Sequence, residues 1–174
     1  VVVVGVDEGL FSADFRAGEK LAQQLIQVAG RAGRAEKAGE VWLQTHHPEH
    51  ALLQTLIHGG YPAFATNELA MREAAGFPPF AHLALLRAEA QHVEAAQAFL
   101  DAAKALFSPS LPRAELELHG PMPAPMPRRA GFQRMQLLLS SPNRRALHAA
   151  LDASVTAIQE LPEARKVRWS LDVD

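Results

Sequence analysis

The chain has 174 residues, 48% of them hydrophobic and 21% charged, and it contains no cysteine. This length fits one to one and a half domains and this composition an ordinary globular protein; disulfides and thiolate zinc sites are excluded, and no apolar run approaches the ~20 residues of a membrane span. The formal net charge of −2 is unevenly spread: Arg128, Arg129, Arg134, Arg144 and Arg145 share a stretch without acidic residues, which carries +5 and leaves −7 for the remainder. Such a patch attracts phosphate backbones or acidic peptides; the plain alternative is a solvated rim.

The chain opens on Val1-Val2-Val3-Val4 without an initiator Met or a secretory signal, as a piece of a longer protein would. Val1 to Val6 is an unbroken apolar run and predicts a strand buried on both faces of a parallel sheet. Residues 14–29 predict a helix, with Asp14 as N-cap, Phe15, Leu21, Leu25 and Val28 on one face, and Gly30 and Gly33 as its stops. Residues 40–45 predict a second strand, so 1–46 form one parallel β-α-β crossover, too short to be a whole doubly wound sheet. Pro48 starts a further helical stretch carrying Leu52, Leu53, Leu56 and Ile57; Gly59-Gly60 breaks it, and a helix over 63–75 follows. Gly76-Phe77-Pro78-Pro79-Phe80 is the strongest stop signal and the expected domain boundary.

Beyond it the pattern changes. Residues 82–89 predict a strand and 91–107 a helix, with Val93, Ala96, Leu100, Ala103 and Phe107 on its inner face. Leu116 and Leu118 alternate with Glu115, Glu117 and His119. Proline at 121, 123, 125 and 127 excludes a helix and a central strand, and predicts an extended loop. Residues 134–140 alternate again; Ser141 then caps a helix with Pro142 at its first position and Leu147, Leu151, Val155 and Ile158 as its stripe. The last strand alternates Val167, Trp169, Leu171 and Val173 with Lys166, Arg168, Ser170 and Asp172. The order β-α-β-β-α-β is the split, ferredoxin-like arrangement, whose open face would carry Arg134, Gln136, Lys166 and Arg168.

The segment Gln27-Val28-Ala29-Gly30-Arg31-Ala32-Gly33-Arg34 carries the chemistry. Rigid guanidinium groups three residues apart can meet neighbouring phosphate oxygens, glycines allow close backbone approach, and a glutamine can orient water or a phosphate oxygen. The plain alternative is a helix end whose arginines favour the negative dipole terminus. The segment resembles motif VI of superfamily 2 helicases. With Gly9 to Arg16, Gln44 to His50, Pro78-Pro79 and Arg165 to Asp174, the whole chain resembles the PriA-type primosomal helicase family.

That resemblance implies a parent enzyme that recognises abandoned replication forks, unwinds DNA with 3′-to-5′ polarity using ATP and Mg, and starts primosome assembly in the cytoplasm. It implies that Gln27, Gly30, Arg31, Gly33 and Arg34 face ATP held mainly by another lobe, with Arg31 and Arg34 catalytic and Arg34 the finger. It further implies that Arg128, Arg129, Arg134 and Gln136 serve DNA or the acidic C-terminal tail of single-stranded DNA-binding protein, alongside other primosome proteins. The family has tryptophan or tyrosine where this chain has Gln133 and Met135. The phosphate-loop motif, the acidic metal motif and the zinc cysteines of the family are absent from this sequence, so the chain alone is expected to be inactive. His46, His47 and His50 lack an evident fourth ligand and have Pro48 between them, which favours a polar turn over a metal site. Trp42 and Trp169 are expected in the core.

The expected fold is α/β plus α+β: residues 1–58 the end of a RecA-like helicase lobe, 59–80 a helical connector, and 81–174 a ferredoxin-like domain. The competing function is a non-enzymatic nucleic-acid- or protein-binding module in which Gln27 to Arg34 is a structural helix end.

Overall fold

The structure, a computed structural model, describes residues 1–12, 14–32, 39–110 and 115–173. It divides into two compact units between Ala74 and Ala75. The architecture is mixed α/β, with one parallel and one antiparallel sheet.

In the first unit, β1 (Val2–Val3) and β2 (Trp42–Leu43) are parallel, with Val2 opposite Trp42 and Val3 opposite Leu43. Both strands are shorter than the sequence suggests. The valine run ends at Gly5, where φ of +73° turns the chain, and Val6 already begins α1 (Val6–Leu10). Val2 and Val4 are exposed and Trp42 is 63% exposed, so the expected double-sided burial and the core role of Trp42 are both corrected. Two paired residues per strand provide too little sheet for a second layer to cover. The amphipathic helix α2 (Ala17–Ala32) buries Leu21, Ala22 and Leu25 against Val6, Leu53, Leu56 and Phe64. It starts where the Arg16 N–H donates to Asp14 Oδ1 (3.0 Å), and it continues through Gly30 instead of stopping there. The helical stretch α3 (Ala51–Ala75) is kinked at Gly60, whose φ of +66° and ψ of −171° are non-helical. Arg72 holds it to α2, bonding Glu19 (2.9 Å) and Glu68 (3.0 Å) from a mostly buried position.

The second unit runs β3 (His82–Ala90), α4 (Val93–Phe107), β4 (Glu117–Arg129), β5 (Phe132–Ser141), α5 (Arg144–Glu160) and β6 (Arg168–Val173). The strand order is β4-β5-β3-β6, and every neighbouring pair is antiparallel. Period-two burial along β3 and β5 sends Ala84, Leu86, Ala88, Met135, Leu137 and Leu139 to one face. There they meet Phe99, Leu100, Ala103 and Phe107 of α4 and Leu147, Leu151 and Ile158 of α5 in one continuous core. Trp169 packs at its margin, its ring 5.8 Å from that of Phe99. On α5, Ala150 and Ser154 are buried where Val155 was expected to be.

Two local readings change here. The proline-rich segment is not a loop but part of β4, with register shifts between His119 and Met122 and between Pro123 and Arg128. Proline is tolerated because β4 lies at the edge of the sheet, where a missing N–H can face outward. At the first shift Gly120 has φ of +113°, and a Cβ there would lie 2.9 Å from the Gln136 carbonyl oxygen, so a side chain is excluded. The cap of α5 is Asn143, whose side chain accepts from the Arg145 N–H (3.0 Å) and the Ala146 N–H (3.2 Å). Ser141 is instead the buried end of β5, its Oγ accepting from the Asn143 N–H (3.1 Å).

Candidate nucleotide and nucleic-acid interfaces

In the first unit the buried stripe of α2 leaves the opposite side of its last turns to solvent. Gln27, Gly30 and Arg31 are all exposed there. Gln27 and Arg31 are four residues apart and therefore share a face, with Gly30 beside them. The Arg31 side chain makes no hydrogen bond or ion pair with the described residues. Gly30 is equally telling: no described atom lies within 4 Å of where its Cβ would be. A glycine inside a helix costs roughly 0.5–1 kcal/mol relative to alanine, and packing against the described residues gives no reason for it. Gly33 and Arg34 lie outside the described residues.

A crevice of this unit lies elsewhere. It has a volume of about 330 Å³ and opens beyond the end of β1, lined by Val4, Gly5, Ser12, Asp14, Lys20 and Gln24 among others, and not by Gln27 or Arg31. The histidines sit at the end of β2. Asp7 accepts from the Thr45 hydroxyl and from the His46 N–H (3.1 Å), and these hydrogen bonds hold its carboxyl below the usual range. His47 and His50 meet the Phe11 ring edge-on at 4.6 and 5.5 Å. No three His, Asp or Glu side chains gather as a metal site among the described residues.

In the second unit the fold regroups the basic residues. Arg128 and Arg129 stand at the tip of the β4–β5 hairpin, opposite Gln133 and Phe132. Both are exposed, and Arg128 Nε donates to Gln133 Oε1 (3.3 Å). Arg134 and Gln136 are half-buried on the open sheet face. The Arg134 Nε donates to Glu89 Oε1 at 2.7 Å directly across the strand pair, so its charge is largely committed within the fold. Arg144 and Arg145 belong to the opposite end of β5, in the first turn of α5. In their place the structure brings Arg165, Lys166 and Arg168 to the hairpin end, because Arg168 opens β6 opposite Glu89. The Arg168 guanidinium lies over the Phe132 ring, 4.6 Å from its centre. Sequence reasoning placed Lys166 and Arg168 on the open face but missed their grouping with Phe132; the signal was the βαββαβ topology, which returns the last strand beside the first.

Residues 73–174, which include the antiparallel sheet and its two helices, match the family described as Primosomal protein N C-terminal domain, and the chain belongs to that family. It is similar to the Replication restart protein PriA of Haemophilus influenzae, at 50% identity over 174 residues, covering 100% of this chain and 23% of that protein. The corresponding protein of Synechocystis sp. is 38% identical over 143 residues, covering 82% of this chain and 17% of its own length. That of Bacillus subtilis is 34% identical over 175 residues, covering 100% and 22%. The chain thus spans about a quarter or less of the curated relatives it matches. No helix among the described residues is long and apolar enough to cross a membrane.

Proposed function

We propose that this chain is the closing part of the second motor lobe of an ATP-dependent, 3′-to-5′ replication-restart DNA helicase, followed by its interaction domain. Residues 1–58 are read as the end of a RecA-like lobe, 59–80 as a helical connector and 81–174 as a ferredoxin-like domain. The observation that carries the motor reading is the exposed Gln27–Gly30–Arg31 face of α2, with an arginine free of partners among the described residues and a glycine that no described neighbour requires. A nucleotide held by another lobe would account for both. Arg31 and Arg34 would stabilise the charge that develops as the γ-phosphoryl group leaves, Gln27 would orient water or a phosphate oxygen, and Gly30 and Gly33 would permit close approach. ATP and Mg would be bound mainly by residues that this sequence does not contain, and hydrolysis belongs to the whole cytoplasmic enzyme.

The second unit would engage forked or single-stranded DNA, the acidic tail of single-stranded DNA-binding protein and other primosome proteins. Support comes from the side chains of Arg165, Lys166 and Arg168 at one end of the sheet, which make no hydrogen bond or ion pair among the described residues, and from the similarity to replication restart proteins. A second reading, a non-enzymatic ferredoxin-like binding module, draws on the fact that this unit encloses a core of its own.

The test is Arg34→Ala in the full-length protein. DNA-stimulated ATP hydrolysis should fall by about 10³–10⁵, the contribution of an arginine finger, while DNA affinity is retained. Undiminished turnover would remove Arg34 from the chemistry and favour the module.

A further inference from the structure

The hairpin end of the second unit contains a cavity of about 450 Å³. Its walls come from four places: Glu89 to His92 at and after the end of β3, Ala95 in the first turn of α4, Phe132 at the start of β5, and Arg165 to Arg168 before and within β6. Phe132 supplies an aromatic ring whose one side is covered by the Arg168 guanidinium, 4.6 Å from its centre. The Arg168 side chain makes no hydrogen bond or ion pair among the described residues, and neither do those of Arg165 and Lys166. The acidic wall residue, Glu89, is neutralised by Arg134 at 2.7 Å. The result is a cationic cavity with a flat, partly apolar wall and no internal counter-charge.

We propose that this cavity takes one unpaired nucleotide of a single strand, its base on the Arg168–Phe132 stack and its phosphates on Arg165 and Lys166. Resting on the reading of this unit as a DNA-contacting domain, it narrows that reading to a single residue-sized subsite. The volume lies within the range of small-ligand pockets, roughly 300–1,000 Å³. Guanidinium and phenyl planes stack bases of any sequence, and neighbouring cations track the backbone. A base held in a duplex would have both faces occupied, so the site selects for single strands. An acidic peptide is the competing occupant. It is disfavoured because the Arg168 guanidinium already lies over the Phe132 ring, 4.6 Å from its centre, an arrangement that offers a π surface a carboxylate cannot use and a base can.

The experiment uses the whole 174-residue chain and two fluorescent single strands of about a dozen nucleotides, a length within known site sizes. One is oligothymidylate and the other has the same backbone without bases. Phe132→Leu should weaken thymidylate binding by about 5- to 100-fold, the effect of losing one stacked base, and leave binding of the abasic strand unchanged. Arg168→Lys, which keeps the charge and removes the plane, should do the same at an exposed position that does not carry the fold. Arg165→Ala/Lys166→Ala should weaken both strands and lower the slope of log affinity against log salt by about 1.4, for two phosphate contacts. Equal losses on the two strands, or no loss with either ring or guanidinium variant, would overturn the pocket while leaving the domain a DNA binder. An acidic peptide that displaces the strand and is itself weakened by Phe132→Leu would overturn it in favour of a peptide site. A wild-type chain that binds neither strand at low salt would overturn both the pocket and the domain reading.

Discussion

The regrouping of arginines in the second unit yields a prediction that separates the fold from the linear sequence. Arg144→Ala/Arg145→Ala removes two of the five charges of the basic stretch, as does Arg128→Ala/Arg129→Ala. In sequence the two pairs look equivalent. In the structure the first pair follows Ser141 and the second precedes Phe132, and β5 separates them by its full length. Nine residues of strand span about 30 Å at roughly 3.3 Å per residue. With a screening length of about 8 Å at physiological salt, ionic screening alone cuts the potential of a charge at one end to about 2% of its unscreened value at the other. A four-nucleotide single strand bound at the hairpin end should therefore lose about 1.4 from its salt slope when Arg128 and Arg129 are removed, at about 0.7 per phosphate contact. It should be unchanged when Arg144 and Arg145 are removed. Fluorescence anisotropy over a series of salt concentrations measures both slopes. An equal fall for the two double variants would refute the reasoning, because the strand would then be reading charge from both ends of the sheet.

Two stability predictions test the local geometry. Asn143→Ala removes the acceptor of the Arg145 and Ala146 N–H groups and should cost about 1 kcal/mol, or about 4–8 °C in the melting of a domain of this size; Ser141→Ala, at the residue the sequence suggested as the cap, should leave those two N–H bonds intact by amide hydrogen exchange. Asp7→Asn should lower the melting temperature at neutral pH, because the carboxylate of Asp7 accepts from Thr45 and His46. Its acidity is raised in the folded state, so its contribution is present above the ordinary value of 3.8 and is lost as the pH falls through the lowered folded value. The difference between wild type and variant should close over that acid window, and a constant difference would contradict the assignment.

Much of the second unit was legible in the sequence. β3, β5 and β6 alternate because one face meets α4 and α5 and the other meets water, and Leu86, Leu137 and Leu139 show that alternation without interruption. What escaped depended on neighbours. Proline at 121, 123, 125 and 127 rules out a central strand but not an edge, and only the strand order shows that β4 is an edge. Trp42 looked like core because it lies in an apolar run; its exposure follows from how little sheet surrounds it. Gly30 looked like a helix stop, yet the burial of Leu21 and Leu25 carries α2 two residues past it. For the candidate sites, Gln27 and Arg31 were singled out in the sequence by the segment that carries them, and the structure adds that both are exposed on one face of α2. The meeting of Phe132 with Arg168 was not, because 35 intervening residues of helix and turn must fold before β6 returns.

The prolines of β4 have a consequence for self-association. A strand at a sheet margin ordinarily offers a row of backbone donors to any passing extended chain, which is how stray edges nucleate aggregates. With proline at every second residue from 121 to 127, that row is stripped of donors wherever the pleat is regular, and the bulges twist what is left out of register. The middle of the border that carries the exposed arginines of the hairpin is thus a poor template for β-addition by another polypeptide, and it favours partners that are recognised by charge and ring stacking instead of by backbone pairing.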